Sequence, residues 1–191
     1  MLKDISNVHI VPLRSAEHIR RGFCCSVQKI QNYCRNNIHR QHDAYQVRAF
    51  VACDGDSLDV IGFYYLCLTS FVIGKIDDPS DDKFDRVKAV PAVYLGMIAV
   101  HDDYIGSGVG KMLMAHALHT TTEIADRAGT YALTLDALNE KLVEYYKKFD
   151  FQTFKQGETG LEMFLPLKSI QAAIAASELA TMLPEKPEAA G

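Results

Sequence analysis

The chain has 191 residues, 48% of them apolar and 23% charged, with a formal net charge of −4 at pH 7. This composition is typical of a globular domain with its own hydrophobic core, and no apolar run reaches the roughly 18 residues of a membrane-spanning helix. The five cysteines are an odd number without a CxxC pair, which argues against a disulfide framework and a zinc site. We therefore expect no bound metal, no membrane contact, no secretory signal and a cytoplasmic location.

The first half of the chain predicts three strands and one long helical segment. The strands are residues 8–13, 47–53 and 59–73, where β-branched and aromatic residues concentrate. Between the first two strands, Ser15 is a suitable N-cap, and a helix is expected to run from it to about His42. Its apolar residues recur at helical spacing: Val27, Ile30, Tyr33, Cys34 and Ile38.

The second half of the chain alternates strands and helices after a polar, Asp-rich loop at residues 74–91. The pattern predicts a strand at 93–100, a helix from 109 to Gly129, a strand at 130–136, a helix at 139–149, a hairpin at 151–165 and an Ala-rich helix at 168–183. The last residues are expected to be disordered. This order predicts one α+β domain with a mixed, mostly antiparallel sheet flanked by helices.

A glycine turn between a strand and a helix is the most informative local feature. Gly106, Gly108 and Gly110 let the backbone approach a ligand, and the helix start supplies free N–H groups for phosphate oxygens. A Walker A loop is excluded, because Ile105 stands where it needs glycine and Met112 where it needs Ser or Thr. A dinucleotide fingerprint fails at its third glycine. A purely structural turn remains the alternative at this point.

The surrounding sequence resembles the GNAT N-acetyltransferases. Their pyrophosphate loop has the pattern Gln/Arg-x-x-Gly-x-Gly/Ala after a long strand, and Gly108 and Gly110 match it, whereas Ile105 stands at the Gln/Arg position. Downstream, the family has Asn before a helix that ends in Phe/Tyr-Tyr-x-x-x-Gly-Phe. Here Asn139 precedes YYKKFDF at residues 145–151, which matches at every position except the glycine.

One branch of that family, the GNAT toxins of bacterial toxin–antitoxin pairs, is similar over about residues 8–170. The shared motifs are FCCSVQKIQNY at 23–33, GFY at 62–64, the proline-led strand LGMIAV at 95–100 and MFLPLK at 163–168. The resemblance implies a GNAT domain over residues 1–168, with a C-terminal helix and tail at 169–191. It further implies acetylation of the α-amino group of aminoacyl-tRNA, a block of translation, a small antitoxin protein as partner, and a homodimer.

The resemblance also implies acetyl-CoA as the cofactor and assigns the residues that hold it. They are Ile98, Ala99, Val100, Ile105, Gly106, Ser107, Gly108, Val109, Gly110, Lys111 and Asn139. In this scheme a backbone N–H of residues 98–100 polarises the acetyl carbonyl. Tyr146 occupies the family's tyrosine position and is the predicted acid that protonates the departing thiolate, with Tyr145 as the alternative if the register differs by one. His101 is either a base or a polar residue that ends the strand.

A basic segment supplies the expected contacts to tRNA phosphates. Residues 12–48 contain seven Arg or Lys against two acidic residues, although the whole chain is acidic. The predicted nucleic-acid-binding residues are Arg20, Arg21, Lys29, Arg35 and Arg40. The alternative is an ordinary solvated helix face.

Three departures from the family pattern keep other functions open: Ile105 in the loop, Met97 in place of the strand arginine, and Asp150 in place of glycine. They favour a non-catalytic acyl-CoA-binding module as one alternative. The other alternative, favoured by the net negative charge of the chain, is a GNAT enzyme that acetylates a protein or a small-molecule amine. Acetyl-CoA binding and growth arrest on expression distinguish these alternatives from the toxin.

Overall fold

The computed structural model describes residues 3–71, 89–154 and 161–176, which form one mixed seven-stranded sheet with helices on both faces. The strands are β1 (Val8–Pro12), β2 (Arg48–Asp54), β3 (Gly62–Phe71), β4 (Val90–Val100), β5 (Ala132–Asp136), β6 (Gln152–Thr153) and β7 (Glu162–Pro166), in the spatial order β1-β2-β3-β4-β5-β7-β6. Every neighbouring pair is antiparallel except β4 and β5. The predicted α+β class and mostly antiparallel sheet are confirmed.

The helices are α1 (Gln28–Asn36), α2 (Ile38–Asp43), α3 (Val109–Ala125), α4 (Glu140–Lys147) and α5 (Leu167–Ala175), with a 3-10 turn at Asp102–Tyr104. Helix α3 joins the two parallel strands, because parallel pairing needs a crossover connection. Within the described segments, no helix is both long enough and apolar enough to cross a lipid bilayer. Most of the predicted 74–91 loop, the tip of the predicted hairpin and the tail after residue 176 lie outside the described residues.

The helix predicted over residues 15–42 is wrong in its first half, because helical structure starts only with α1. Ser15 is not an N-cap; its hydroxyl donates to the Asp43 carboxylate at 2.7 Å. The backbone of Ile19 instead bonds to residues 58–60, with N···O distances of 2.8 and 3.0 Å. These long-range bonds hold Ile19 in an isolated bridge between turns and outweigh the local helical periodicity of the segment. The arginines before α1 therefore lie on a loop.

The sheet separates two hydrophobic cores. Successive strand residues point to opposite faces, so Phe63 and Tyr64 of β3 are both buried but in different cores. Helix α3 buries Leu113 in the larger core, together with α4 and α5, and α5 adds the fully buried Ile170. Helices α1 and α2 cover the smaller core, where Ile38 is fully buried.

Strand β4 loses its β5 partner halfway along its length. The parallel pairing ends at Leu95, and from Gly96 to Val100 the edge of β4 away from β3 faces no strand of the described chain. The register against β3 shifts at the same point, between Tyr65 and Leu66. A Cβ on Gly96 would collide with the Tyr65 ring, so glycine is needed there. The result is a wedge between β4 and β5 whose backbone groups are available to a ligand.

Candidate active site

The wedge between β4 and β5 opens into a cleft of about 440 Å³. Its walls come from the splayed part of β4, the end of β5, the start of α1 and one side of α4. The lining is mainly apolar, and in the described chain its charged residues are Lys29 and Asp136. A cleft with few charges suits a ligand that is held through backbone groups and nonpolar contact.

Tyr146 brings a phenol into this cleft from α4. The residue is only 6% exposed, and burial, with a smaller contribution from Tyr145, raises the pKa of Tyr146 to about 12. The phenol therefore keeps its proton at neutral pH. Helix α4 is fixed at its start by Asn139, whose side-chain oxygen accepts the Leu142 N–H at 3.0 Å. Asn139 itself does not line the cleft.

Tyr145 is adjacent in sequence but packs elsewhere. Its ring lies against Phe149, with centroids 5.3 Å apart, and its hydroxyl oxygen is 3.9 Å from the Cβ position of Gly110. It is not part of the cleft wall. Of the two tyrosines, Tyr146 is therefore the one placed to reach a ligand in the cleft.

The turn between β4 and α3 presents backbone donors beside the cleft. Gly106 and Gly108 have φ angles of +80° and +110°, a region that side-chain-bearing residues rarely adopt. Among the described residues, the N–H groups of Gly108, Val109 and Gly110 have no hydrogen-bond acceptor, and α3 has no side-chain cap. Such donors at a helix start suit phosphate oxygens, as the sequence predicted.

The other predicted cofactor residues are divided between the cleft and its surroundings. Four of them line the cleft: Ile98, Ala99, Val100 and Ile105. The Ser107 hydroxyl instead donates to the Tyr104 carbonyl at 2.6 Å, and the Val109 side chain is fully buried in the larger core. Lys111 is exposed on α3. The Ser107 N–H also donates to the Tyr104 carbonyl, at 3.2 Å, so Ser107 shapes the turn, and Val109 can contact a ligand mainly through its backbone.

His101, weighed as a base, lies outside the cleft wall. Its Nδ1 accepts the Asp103 N–H at 3.1 Å, which caps the 3-10 turn, and its Nε2 lies 3.2 Å from the Gly22 carbonyl oxygen. Both ring nitrogens are therefore engaged in structure. In the segments that the structure describes, no group of His, Cys, Asp or Glu could hold a metal ion.

The predicted nucleic-acid-binding residues lie at three places. Lys29 lines the cleft. Arg40 lies on α2, where its guanidinium donates to the Asn37 side chain at 2.7 Å. The other three border a second cavity of about 470 Å³, between the loop before α1 and the end of that helix: Arg20, Arg21 and Arg35. The basic residues are therefore not one continuous helical stripe.

Sequence reasoning missed polar groups in both cavities. In the cleft, the Asp136 carboxylate accepts the Tyr94 hydroxyl at 2.8 Å. Its place at the end of a predicted strand was an available signal. In the second cavity the missed residues are His18 and His39. No sequence pattern singles them out, because a loop and a helix meet only in the folded chain.

Comparisons with known proteins agree with this geometry. Residues 17–151 match the model of the Acetyltransferase (GNAT) family. The chain is 29% identical over 174 residues to the probable toxin TacT of Sinorhizobium fredii, covering 85% of this chain and 93% of TacT. It is 29% identical over 132 residues to the tRNA-acetylating toxin of Mycobacterium tuberculosis, covering 69% and 76% of the two chains.

Solved structures of similar fold include AtaT complexed with acetyl-methionyl-tRNAfMet, with a TM-score of 0.81, 28% identity and coverage of 87% of this chain and 99% of AtaT. A tyrosine-to-phenylalanine variant of KacT has a TM-score of 0.81, 26% identity and coverage of 88% and 99%. AtaTR bound with AcCoA has a TM-score of 0.76, 29% identity and coverage of 88% and 98%. The family match spans the cleft, the glycine turn and Tyr146, and the chain belongs to the GNAT acetyltransferase family.

Proposed function

We propose that this protein uses acetyl-CoA to acetylate the α-amino group of aminoacyl-tRNA and thereby blocks translation. The observation that carries the proposal is the buried, protonated phenol of Tyr146 in a cleft bounded by the open edge of β4. The similarity to a tRNA-acetylating toxin, and to AtaT in complex with acetyl-methionyl-tRNAfMet, supports the choice of acceptor.

The residues around the cleft fit acetyl-CoA. The free N–H groups of Gly108, Val109 and Gly110 would hold its pyrophosphate, and residues 98–100 would pair with its extended arm. When bound, acetyl-CoA supplies the acetyl thioester. A backbone N–H of residues 98–100 would polarise the thioester carbonyl. Ile105 offers no side-chain hydrogen bond, so the backbone donors would carry this contact.

The reaction needs little help from a base. An α-amino group has a pKa near 8, so about one in ten is neutral at pH 7. The nitrogen forms a bond to the acetyl carbon while the carbon–sulfur bond breaks, and the amine loses its proton to water. Tyr146 would give its phenol proton to the departing thiolate and recover one from solvent.

The proposal includes the setting in which the enzyme works. Residues 1–168, which end within the first turn of α5, would form the catalytic domain. Charged tRNA places the reaction in the cytoplasm. A small antitoxin protein is proposed as the partner that neutralises the toxin, since an AtaT variant is known in complex with the C-terminus of its antitoxin AtaR. We also propose that the protein forms a homodimer.

Transfer of labelled acetyl from acetyl-CoA to total charged tRNA tests the proposal. We expect label in the aminoacyl fraction, a loss of about 10²–10⁴-fold in rate for Tyr146→Phe, and less than threefold change for the matched control Tyr145→Phe. Expression of the wild-type protein should arrest growth, and expression of Tyr146→Phe should not.

Three results would contradict the proposal in different ways. Label in proteins or small amines, with none in tRNA, would mean that the acceptor is not aminoacyl-tRNA. Equal rates for the wild type and Tyr146→Phe would remove the proposed acid. Failure to bind acetyl-CoA at millimolar concentration would leave no acetyltransferase activity to assign.

A further inference from the structure

The second cavity is bordered by buried side-chain nitrogens that have no hydrogen-bond partner. Within the described chain, three side-chain nitrogens are closed to solvent and unpaired: His18 Nε2, Arg20 Nε and His39 Nδ1. All three residues border the same cavity of about 470 Å³. Buried polar atoms in folded proteins are nearly always hydrogen-bonded, so three exceptions in one place indicate a missing partner.

The missing partner has to accept hydrogen bonds. His18 is only 4% exposed, and its Nδ1 accepts the Arg14 backbone N–H at 2.9 Å. That bond fixes the neutral tautomer with the proton on Nε2, so the unpaired atom is a donor. Arg20 Nε is a donor in every state. A ligand for this cavity therefore supplies oxygen lone pairs.

The cavity is also strongly positive. Arg20, Arg21 and Arg35 border it, and Arg20 contributes to the lowered pKa of both histidines, after burial as the main cause. The acidic residue in its wall, Glu17, is already paired with Arg14 at 2.8 Å. Backbone carbonyls hold two of these arginines in place, since Arg20 Nη1 donates to the Ser15 and His18 oxygens at 3.0 and 3.2 Å and Arg35 Nε donates to the Phe23 oxygen at 2.7 Å. These neutral acceptors leave the mutual repulsion of the positive charges uncompensated. An oxyanion would offset this repulsion and pair with the buried donors at the same time.

We propose that this cavity is a phosphate pocket, lined by His18, Arg20, Arg21, Arg35 and His39, whose buried donors turn toward and hold one backbone phosphate of the acceptor RNA. The identification of this phosphate as one from RNA rests on the proposed function. Helix α1 links the pocket to the cleft, because Lys29 borders the cleft and Arg35 borders the pocket. At about 1.5 Å per helical residue these positions are roughly 9 Å apart along α1, or about three stacked nucleotides at 3.4 Å each.

Inorganic phosphate tests the pocket without RNA. The imidazole NMR signals of His18 and His39 are followed during a phosphate titration at constant ionic strength set by chloride. We expect saturable shifts at millimolar phosphate in the wild type and no saturation in Arg20→Gln. Shifts that chloride reproduces, or that persist unchanged in Arg20→Gln, would overturn the pocket.

Binding of charged tRNA, measured over a range of salt concentrations, tests the RNA source. We expect Arg20→Gln and Arg21→Gln each to weaken tRNA binding about tenfold. Each should also reduce the slope of log affinity against log salt concentration by about 1. Arg21 is exposed and makes no hydrogen bond or ion pair within the described residues, so its variant should fold normally.

Two arginines outside the cavity wall provide matched controls. Arg48→Gln removes an exposed charge at the start of β2, and Arg127→Gln removes one beyond the end of α3. Both should change tRNA affinity less than threefold. Equal losses in Arg48→Gln and Arg20→Gln would mean general attraction and overturn the pocket.

Steady-state kinetics separate this proposal from the proposed function. Pocket variants should raise KM for charged tRNA and leave kcat and the KM for acetyl-CoA unchanged. Saturable phosphate binding in a wild type that does not acetylate tRNA would support the pocket and overturn its RNA source. Acetylation of tRNA without any phosphate binding would overturn the pocket alone.

Discussion

The histidines under α3 and at the second cavity differ in how their ring nitrogens are satisfied. Under α3, the partly buried imidazole of His116 is matched: the Tyr64 hydroxyl lies 2.6 Å from its Nδ1, and Thr120 lies 3.2 Å from the same hydroxyl. At the second cavity, His18 and His39 keep unpaired nitrogens beside Arg20. A matched polar group contributes to stability, whereas an unpaired one carries an energetic cost and is suited to binding.

Cavity-forming substitutions test this difference most strongly. Leu113 and Ile38 are both fully buried, on α3 and α2 respectively. We expect Leu113→Ala to lower the free energy of unfolding by about 3–4 kcal/mol and Ile38→Ala by about 2–3 kcal/mol, because a six-residue helix beside a loop can collapse into the space.

Urea denaturation of both variants, with tRNA binding measured on the folded proteins, completes this test. Ile38→Ala should weaken tRNA binding, because residue 39 borders the proposed phosphate pocket. Leu113→Ala should leave tRNA affinity unchanged. A larger loss of tRNA affinity in Leu113→Ala would contradict the placement of the RNA phosphate contact on the α1 side.

The buried histidine on the α3 face predicts a pH dependence of stability. Burial is the main cause that lowers the pKa of His116 to about 4, below its unfolded value near 6.5. Between these values the unfolded chain binds the proton and the native chain does not, so stability falls as pH falls from about 6.5 to 4. The contribution of His116 between pH 7 and 4.5 is about 2 kcal/mol.

Unfolding free energies at pH 7 and 4.5 check this expectation. His116→Leu should reduce the loss on acidification by about 2 kcal/mol, since Tyr64 keeps Thr120 as a partner. His119→Asn, at a partly exposed histidine on the same helix, is the control and should keep most of the loss, with a small reduction because His119 also contributes to the lowered pKa of His116 after burial. Part of the loss should remain in His116→Leu, because burial also lowers the pKa of His18, His39 and His42.

Substitutions in the glycine turn allow effects on acetyl-CoA binding to be compared with effects on folding stability. Gly108 has φ +110°, and a Cβ there would lie 3.0 Å from the Ile5 side chain. Gly108→Ala should cost about 1–2 kcal/mol of stability and weaken acetyl-CoA binding at least tenfold, because the strained turn would turn its donors away. Gly129→Ala is the control, since nothing lies within 4 Å of its Cβ position. Equal acetyl-CoA affinity in both variants, measured by calorimetry, would mean that the turn is not part of the acetyl-CoA site.

The sequence predicted the α3 side of the molecule well and the α1 side poorly, for physical reasons. Strand β4, helix α3 and strand β5 are specified by continuous apolar runs and by glycines at their ends, which are local signals. The loop before α1 is held by backbone bonds from Ile19 to residues 58–60, a contact that no local pattern encodes. The second cavity depends on that loop, so its histidines could not be predicted. The helical position of Tyr146 could, because the residues that specify α4, from the Asn139 cap to Lys147, are contiguous in sequence.

The end of α4 shows how one departure from the family pattern is accommodated. Asp150 has φ +64°, the left-handed conformation in which helices usually end on glycine. The Asp150 N–H donates to the Lys147 carbonyl at 3.0 Å, and the Phe151 N–H donates to the Tyr146 carbonyl at 3.3 Å. These two bonds form a Schellman cap, and the Phe151 ring packs on Tyr146 with centroids 5.8 Å apart. The cap therefore holds the backbone of the proposed acid.

Substitutions at Asp150 should have the smallest effects, and their sign is informative. Asp tolerates the left-handed region better than most residues but less well than glycine. Asp150→Gly should raise the free energy of unfolding by about 0.5 kcal/mol, and Asp150→Ala should lower it by about 1 kcal/mol. Thermal unfolding followed by circular dichroism measures both. Because the cap persists in the glycine variant, its acetylation rate should stay within twofold of the wild type. A tenfold rate increase in Asp150→Gly would instead mean that Asp150 misplaces Tyr146 in the natural chain.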